Sequence, residues 1–312
     1  MDRVAIVIVT HNSAIEIGAC LEAAVATGQP VWVIDNASED NTLSEARKHN
    51  VHVLANQTNL GFAAAVNQGV RAAGAELILL LNPDAVLRTD LAPLVYACSR
   101  PKAAAAAGKL VNSNGEIQRG FTVRRLPSAT ALAFEVLGVN RLWPGNPVNW
   151  HYRCLDMNLD LPAEVEQPAG AFCMFRRDVW ERLGGWDEGF YPLWFEDVDF
   201  CRRARDAGFV IYYEAAAEAV HSGGHSVGKI PLECRELYWY GSLLRYVQKH
   251  FCPAERRMVC MAVMLGSIPR MLTGIFTWRS LKPIAVYIRV MSMAARKLGA
   301  GSLEQEGLAS SS

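Results

Sequence analysis

The sequence predicts an α/β fold around a mostly parallel sheet, with a helical extension at the C-terminal side. Three observations predict it. Short apolar runs rich in β-branched residues alternate with helical patterns over about the first hundred residues, and each run stops at a polar cluster. After about residue 215 the composition turns basic and apolar. Strands alternating with helices are the signature of parallel sheets with right-handed crossovers.

Val4–Val9 is a continuous apolar run, as expected of a strand buried on both faces. Ser13 with Glu16 has capping-box spacing and predicts the start of a helix. Ile17, Cys20, Leu21, Ala24 and Val25 then share a helical face, and Gly28 can close it. Val31–Ile34 reads as the second strand, ending on Asp35 and the loop "DNASEDNT", and Val51–Leu54 as the third. Phe62, Ala65, Val66, Gly69, Val70 and Ala73 predict a helix that Gly74 ends. Leu77–Leu81 is the fourth strand and runs into Asn82-Pro83-Asp84. Roughly 100–165 reads as long loops over the sheet edge, with the segment "RLWPGNPVNWHYR". A Gly184-Gly185 turn and a helix from about Glu196 to Ala207, stopped by Gly208, follow. Leu237, Tyr240, Leu244, Val247 and Phe251 predict a seam down one later helix, and "GSLEQEGLASSS" a disordered tail over 301–312.

The 312 residues suffice for one large or two ordinary domains. Hydrophobic content of 51% excludes a disordered chain, and a net charge of zero gives no nucleic-acid signature. None of the eight cysteines forms a C-x-x-C pair, which argues against zinc and for reduced core thiols in a cytosolic protein. Val4–Val9 is too short for a secretory leader, and the apolar stretch Met258–Ile268 falls short of the ~20 residues that span a bilayer. Residues 251–298 carry eight basic side chains against one acidic, interleaved with apolar ones. That pattern fits peripheral membrane docking as well as it fits a helical subdomain or a dimer interface.

Polar residues follow each strand: Thr10-His11-Asn12, Asp35-Asn36, Asn56 to Asn59, and Asn82-Pro83-Asp84. In a parallel sheet these ends share the edge where open α/β folds bind ligands. Neither G-x-G-x-x-G nor G-x-x-x-x-G-K-[ST] is present, so neither a dinucleotide oxidoreductase nor a P-loop NTPase is supported. Asp35 is placed either to accept from a nucleoside or to cap its own loop. Asp84 either closes a Pro-Asp turn or meets a ligand at the strand end. Glu196-Asp197 is either a charged helix start or an acid–base centre. Asp199, two residues on, should point elsewhere on that helix.

The motifs "VAIVIVTHNS", "VWVIDNASEDNT", "NLGFAAAVNQG", "LLLNPDAV", "GAFCMFRRDVW", "GGWDEGFYPLWFEDVDFCRRARDAG" and "HSGGHS" occur in an order that resembles the family-two inverting glycosyltransferases. More narrowly they resemble bacterial rhamnosyltransferases, over roughly residues 4–226. The resemblance implies a GT-A domain over 1–226, with a nucleotide half to about 100 and an acceptor half beyond. The extension then covers 227–300. It implies donor binding by Thr10, His11, Asn12, Asp35, Asn59, Gly61, Asn82 and Gly170. It implies a Mg2+ or Mn2+ ion at Asp84 and His221, with N-P-D in place of the family's D-x-D, and Asp197 as general base with Glu196 as the alternative. Arg124-Arg125 and Arg176-Arg177 could meet the diphosphate, or remain solvated. The donor implied is dTDP-rhamnose, the acceptor a lipid-linked saccharide of surface-polysaccharide synthesis, and the location the cytoplasmic face of the membrane. Rival expectations are a UDP- or GDP-hexose donor, a nucleotidyltransferase, or a non-catalytic sugar-binding scaffold. Oligomeric state stays open.

Overall fold

The computed structural model describes residues 3–223 and 228–299. Gly224, His225 and Ser226 of the "HSGGHS" motif, and the expected tail, lie outside the described residues. The chain divides into two compact units: residues 1–126, 153–192 and 196–229 form one, and 127–152, 193–195 and 230–312 the other. That division differs from a single cut at 226, because segment 127–152 folds with the C-terminal helices.

Among the described residues all the strands lie in the first unit: β1 (Val4–Thr10), β2 (Val31–Asp35), β3 (His52–Ala55), β4 (Leu77–Leu81), β5 (Ala85–Leu87), β6 (Ala103–Val111), β7 (Val123–Arg124), β8 (Ala163–Val165), β9 (Gln167–Pro168), β10 (Phe172–Arg176) and β11 (Val210–His221). The main sheet runs β3-β2-β1-β4-β10-β6-β11-β5, with β8 also on β11, and β7 pairs with β9 in a small second sheet. The expected parallel pairing holds from β3 through β2 and β1 to β4. β10 then enters antiparallel between β4 and β6, while β6 and β11 are parallel. Every residue of β1 and β4 is buried, as their unbroken apolar runs require. Separate apolar clusters cover the two faces: Ile6, Ile8, Leu79 and Leu81 point into one, Val7, Ile78, Leu80 and Trp186 into the other.

Two local expectations change. The helix over Ile17–Ala26 has no side-chain cap; Ser13 Oγ turns to its neighbour's His11 carbonyl, and the Ser13 N–H donates to Thr42 Oγ1 at 2.7 Å. The loop stretch expected over 100–165 contains β6, a nine-residue strand in mid-sheet. Its alanines lack the β-branched signal, yet Ala103 to Ala107 are buried between the larger side chains of β10 and β11. Gly108 continues the strand because a Cβ there would come within 2.1 Å of the Phe172 ring.

The second unit is helical: Ala129–Leu137, Val139–Leu142, Pro147–Tyr152, Leu232–His250, Pro253–Trp278 and Lys282–Gly299. Tyr240, Leu244 and Val247 of the expected seam are buried, with Leu237 and Phe251 half-buried. The apolar stretch around Met258–Ile268 belongs to a 26-residue helix, longer than expected. By length and composition alone it could cross a membrane, a test that core helices also pass. Gly266 lets it approach Ala129–Leu137, since a Cβ would sit 2.0 Å from the Val136 carbonyl oxygen. Arg270 locks that crossing by donating to the carbonyls of Glu135, Val136 and Gly266.

Candidate active site

The carboxyl ends of β1 to β4 do share one edge. Thr10 lies beside Asp35 in register, and Ala55 beside Asp35 on its other flank. Asp35 is almost wholly buried and spends its acceptors internally. Thr10 Oγ1 donates to Oδ1 at 2.9 Å, Ser38 Oγ donates to Oδ1 at 2.5 Å, and the Ser38 N–H donates to Oδ2 at 3.0 Å. Of its two readings, loop capping is the one its partners express.

Asn36, named in the strand-end cluster but given no role there, ties this loop to the next. Its side-chain NH2 donates to Asn59 Oδ1 at 2.8 Å, and its Oδ1 accepts from the Leu60 N–H at 2.9 Å. Asn59 Oδ1 also accepts from the Gly61 N–H. Gly61 has φ +87°, and a Cβ would meet the Tyr191 ring at 2.9 Å, so glycine is required there. His11 Nδ1 lies 2.9 Å from the Asn36 carbonyl oxygen, and Asn12, at φ 54°, accepts from the Glu39 N–H. Thr10, His11, Asn12, Asn59 and Gly61 therefore form one hydrogen-bonded rim.

Asp84 anchors a second group. Its Oδ1 lies 3.4 Å from His221 Nε2, and its Oδ2 accepts from the Gly223 N–H at 3.1 Å. The other side of the imidazole is clamped by Gln118, whose NH2 donates to the His221 carbonyl at 2.6 Å while its Oε1 lies 3.0 Å from Nδ1. A backbone carbonyl only accepts, so the amide orientation is fixed and Nδ1 carries a proton. Nε2 then faces the carboxylate, and only a proton or a cation between them makes that contact favourable. Phe121 stacks on the imidazole at 5.2 Å between ring centroids. The N-P-D turn is held by the Asn82 N–H, which donates to the Ala171 carbonyl, and by the Cys20 thiol, which donates to the Asn82 carbonyl at 3.4 Å. Burial pushes that thiol well up, so it stays a donor.

The Asn82–Ala171 bond joins this group to the acidic pair. Gly170 lies next to Ala171, and a Cβ on it would touch Asp197 Cβ at 3.5 Å. Asp197 Oδ1 accepts from the Val198 N–H at 2.8 Å and Oδ2 from Gln167 Nε2 at 3.2 Å. Asp199 is fully buried and donor-paired with Arg203 at 2.7 Å, pointing away as expected. Trp186 and Phe190 are core; Trp186 stacks on Phe200, which leaves Tyr191 as an exposed ring beside Gly61. Arg176 and Arg177 pair with Asp178 and Glu181. They stand at the start of β4, on the opposite edge, beside a cavity of about 580 Å³ that also takes in Arg3 and Cys98. They are thereby removed from the diphosphate reading.

Residues 5–184 match the family described as Glycosyl transferase family 2. The chain belongs to that family. An N-acetylglucosaminyl-diphospho-decaprenol L-rhamnosyltransferase of Mycobacterium tuberculosis (strain ATCC 25618 / H37Rv) is 30% identical over 226 residues, 66% of this chain and 71% of the relative. The rhamnosyltransferase WbbL of Escherichia coli (strain K12) is 26% identical over 165 residues, 52% of this chain and 58% of that one. Among solved structures, a mannosyltransferase from Pyrobaculum calidifontis in complex with GDP-Man and Mn2+ superposes with a TM-score of 0.55 at 16% identity, covering 95% of this chain and 85% of that chain. GalNAc-T7 with UDP, GalNAc and Mn2+ gives a TM-score of 0.58 at 14% identity over 86% of this chain and 50% of that one. These likenesses show the fold, GT-A.

In this family 2 glycosyltransferase the surroundings push Asp84 and the Glu196-Asp197 pair in opposite directions. Burial works against ionising Asp84, but His221 and the Gly223 N–H more than offset it and hold its carboxyl below the usual range. Burial raises Asp197, and the Val198 N–H, the Arg124 guanidinium and the Gly170 N–H only partly compensate. Glu196 is pushed well above the ordinary range, by burial first and then by the Asp197 charge, and its Oε2 finds no hydrogen-bond partner among the described residues. Burial and the neighbouring charge thus favour the neutral form of Glu196 more strongly than that of Asp197. Among the described residues no three His, Cys, Asp or Glu side chains converge to hold a metal. Asp84 and His221 supply one oxygen and one nitrogen, the small donor set that suits an ion completing its shell with phosphate oxygens and water. Gln118 and Gln167 left no signal in the sequence, because their roles rest on contacts across long separations.

Proposed function

We propose that the protein is an inverting, metal-dependent transferase that moves rhamnose from dTDP-rhamnose to a lipid-linked saccharide. The reaction would serve surface-polysaccharide synthesis at the cytoplasmic face of the membrane. One observation supports the mechanism: Asp84 with His221 is linked to Asp197 through the Asn82–Ala171 hydrogen bond and the close approach of Gly170. The choice of sugar and of a lipid-borne acceptor is supported by the M. tuberculosis relative, whose name states both.

Thr10, His11, Asn12, Asn36, Asn59 and Gly61 form the rim that receives the nucleoside, with Asp35 holding the loop behind it. Asn82 and Gly170 border the sugar. A divalent cation held by Asp84 and His221 would neutralise the diphosphate and ease its departure. Asp197, oriented by Gln167 and the Val198 N–H, takes the proton of the acceptor hydroxyl as that oxygen attacks the anomeric carbon. One displacement inverts the anomeric configuration.

The test is thermal protection by a panel of nucleotide sugars with and without Mg2+ or Mn2+, followed by turnover with a polyprenyl-diphosphate saccharide. Donor at ~100 times its dissociation constant should stabilise the fold by roughly 2.7 kcal/mol. Metal-dependent protection by dTDP-rhamnose, lost in Asp84→Ala, is the expected result. Protection by a UDP- or GDP-hexose instead replaces the donor, and protection without any turnover favours the scaffold.

A further inference from the structure

The Pro253–Trp278 helix buries one side against its own unit, through Val259, Val263, Gly266 and Gly274. Its other side is an apolar stripe open to solvent: Met258 at 37%, Met261 at 50%, Leu265 at 62%, Ile268 at 48%, Leu272 at 58% and Phe276 at 80% exposed. The steps of three and four residues put all six on one line. No Asp or Glu occurs from 256 to 299, while Arg257, Arg279, Arg289 and Arg296 are exposed there. The same unit exposes Leu142 at 87% and Trp143 at 59%, just past the Ala129–Leu137 helix whose last carbonyls Arg270 holds. Tryptophan favours the layer between headgroups and acyl chains.

We propose that this face lies flat on an anionic lipid bilayer, the stripe immersed at the headgroup–acyl boundary and the arginines on headgroup phosphates. The charge is what selects the occupant: Glu255 stands alone at the first turn of the helix, no acidic residue follows along the stripe, and the eight basic against one acidic side chain of 251–298 match an anionic lipid surface, whereas a second copy would set cation against cation. The one-sided burial selects the orientation, since a spanning helix would leave its inner partners, and Arg270 with them, at the depth of the hydrocarbon. The proposal deepens the reading of a lipid-borne acceptor, but its readout is independent of sugar transfer.

The full chain would be spun with phosphatidylcholine vesicles and with vesicles containing phosphatidylglycerol, at low and high salt. Partition into the anionic vesicles, weakened by salt, is expected. The variant L265E/F276E should reduce that partition at least tenfold, and R289Q/R296Q should reduce it on anionic vesicles alone. Unchanged thermal protection by donor and metal would show that each variant folds. No partition of the wild-type chain, or partition indifferent to both variants, overturns the docking surface and leaves the transferase reading standing. A dimer in solution that L265E/F276E dissolves gives the face to a second copy. Resistance to carbonate extraction would mean that the helix spans; each of these outcomes also overturns the proposal.

Discussion

Asp84 and Asp197 are the same side chain in two corners of one sheet edge, and their surroundings drive them apart. Asp84 is partly buried beside an imidazole and a backbone N–H, which favour its ionised form. Asp197 is held by an amide and backbone donors that do not make up for burial, so its affinity for a proton is raised. A permanent anion suits a cation, and a carboxylate with raised pKa suits proton transfer. On the proposed mechanism, local neighbours rather than residue type would divide the labour.

The most severe test of that division is Asp197→Asn. It should lower kcat by about 10²- to 10⁴-fold, the usual worth of a positioned base, while donor protection survives. The companion variant Glu196→Gln replaces a carboxyl that burial and the Asp197 charge push toward its neutral form with a neutral amide, and should keep turnover within about tenfold of wild type. If the two results are reversed in a stopped assay with saturating donor, the base is Glu196 and the comparison is wrong.

Asp84→Ala should abolish the metal-dependent part of donor protection while leaving any metal-free nucleotide binding. Gln118→Leu acts one step further out. Without the amide, His221 loses its fixed tautomer, and Mn2+ affinity measured by titration should fall about 10- to 100-fold, as for other lost supports of a metal-binding histidine. An unchanged affinity would show that Gln118 only packs.

The smallest effect is one of pH. The base works when deprotonated, so kcat/KM should rise with pH through the pKa of Asp197, which burial raises above that of an ordinary aspartate. Gln167 donates to the carboxylate and Arg124 faces it with positive charge, so both favour the ionised form. Gln167→Leu and Arg124→Gln should therefore each move that limb of the profile further up. A downward movement in either would contradict the sign.

The nucleotide half was legible because each of its elements is local. Val4–Val9, Val31–Ile34 and Leu77–Leu81 announce buried strands by their own composition, and Gly74 announces a helix end. β6 was hidden because alanine carries no strand signal, and its place depends on β10 and β11 lying on either side. The capping box at Ser13 failed because Thr42, far along the chain, competes for the same backbone group. Asp84 and Asp197 could be singled out from strand end and motif. Gln118 and Gln167 could not, since nothing beside them in sequence shows where the fold will carry them.

The insertion of β10 between β4 and β6 also sets an order in time. β1, β2 and β3 can pair through short strand–helix–strand units, whereas β10 reaches β4 only after a long excursion of chain has been closed. Closing that loop costs entropy before any new contact forms, and such pairings come late. The nucleotide rim should thus assemble before the proton-accepting corner exists. Pulse-labelled hydrogen exchange during refolding would show the amides of β1 and β2 protected ahead of those of β10. A newly made chain would then pass through a stage that has the edge for a nucleotide and no means of using it.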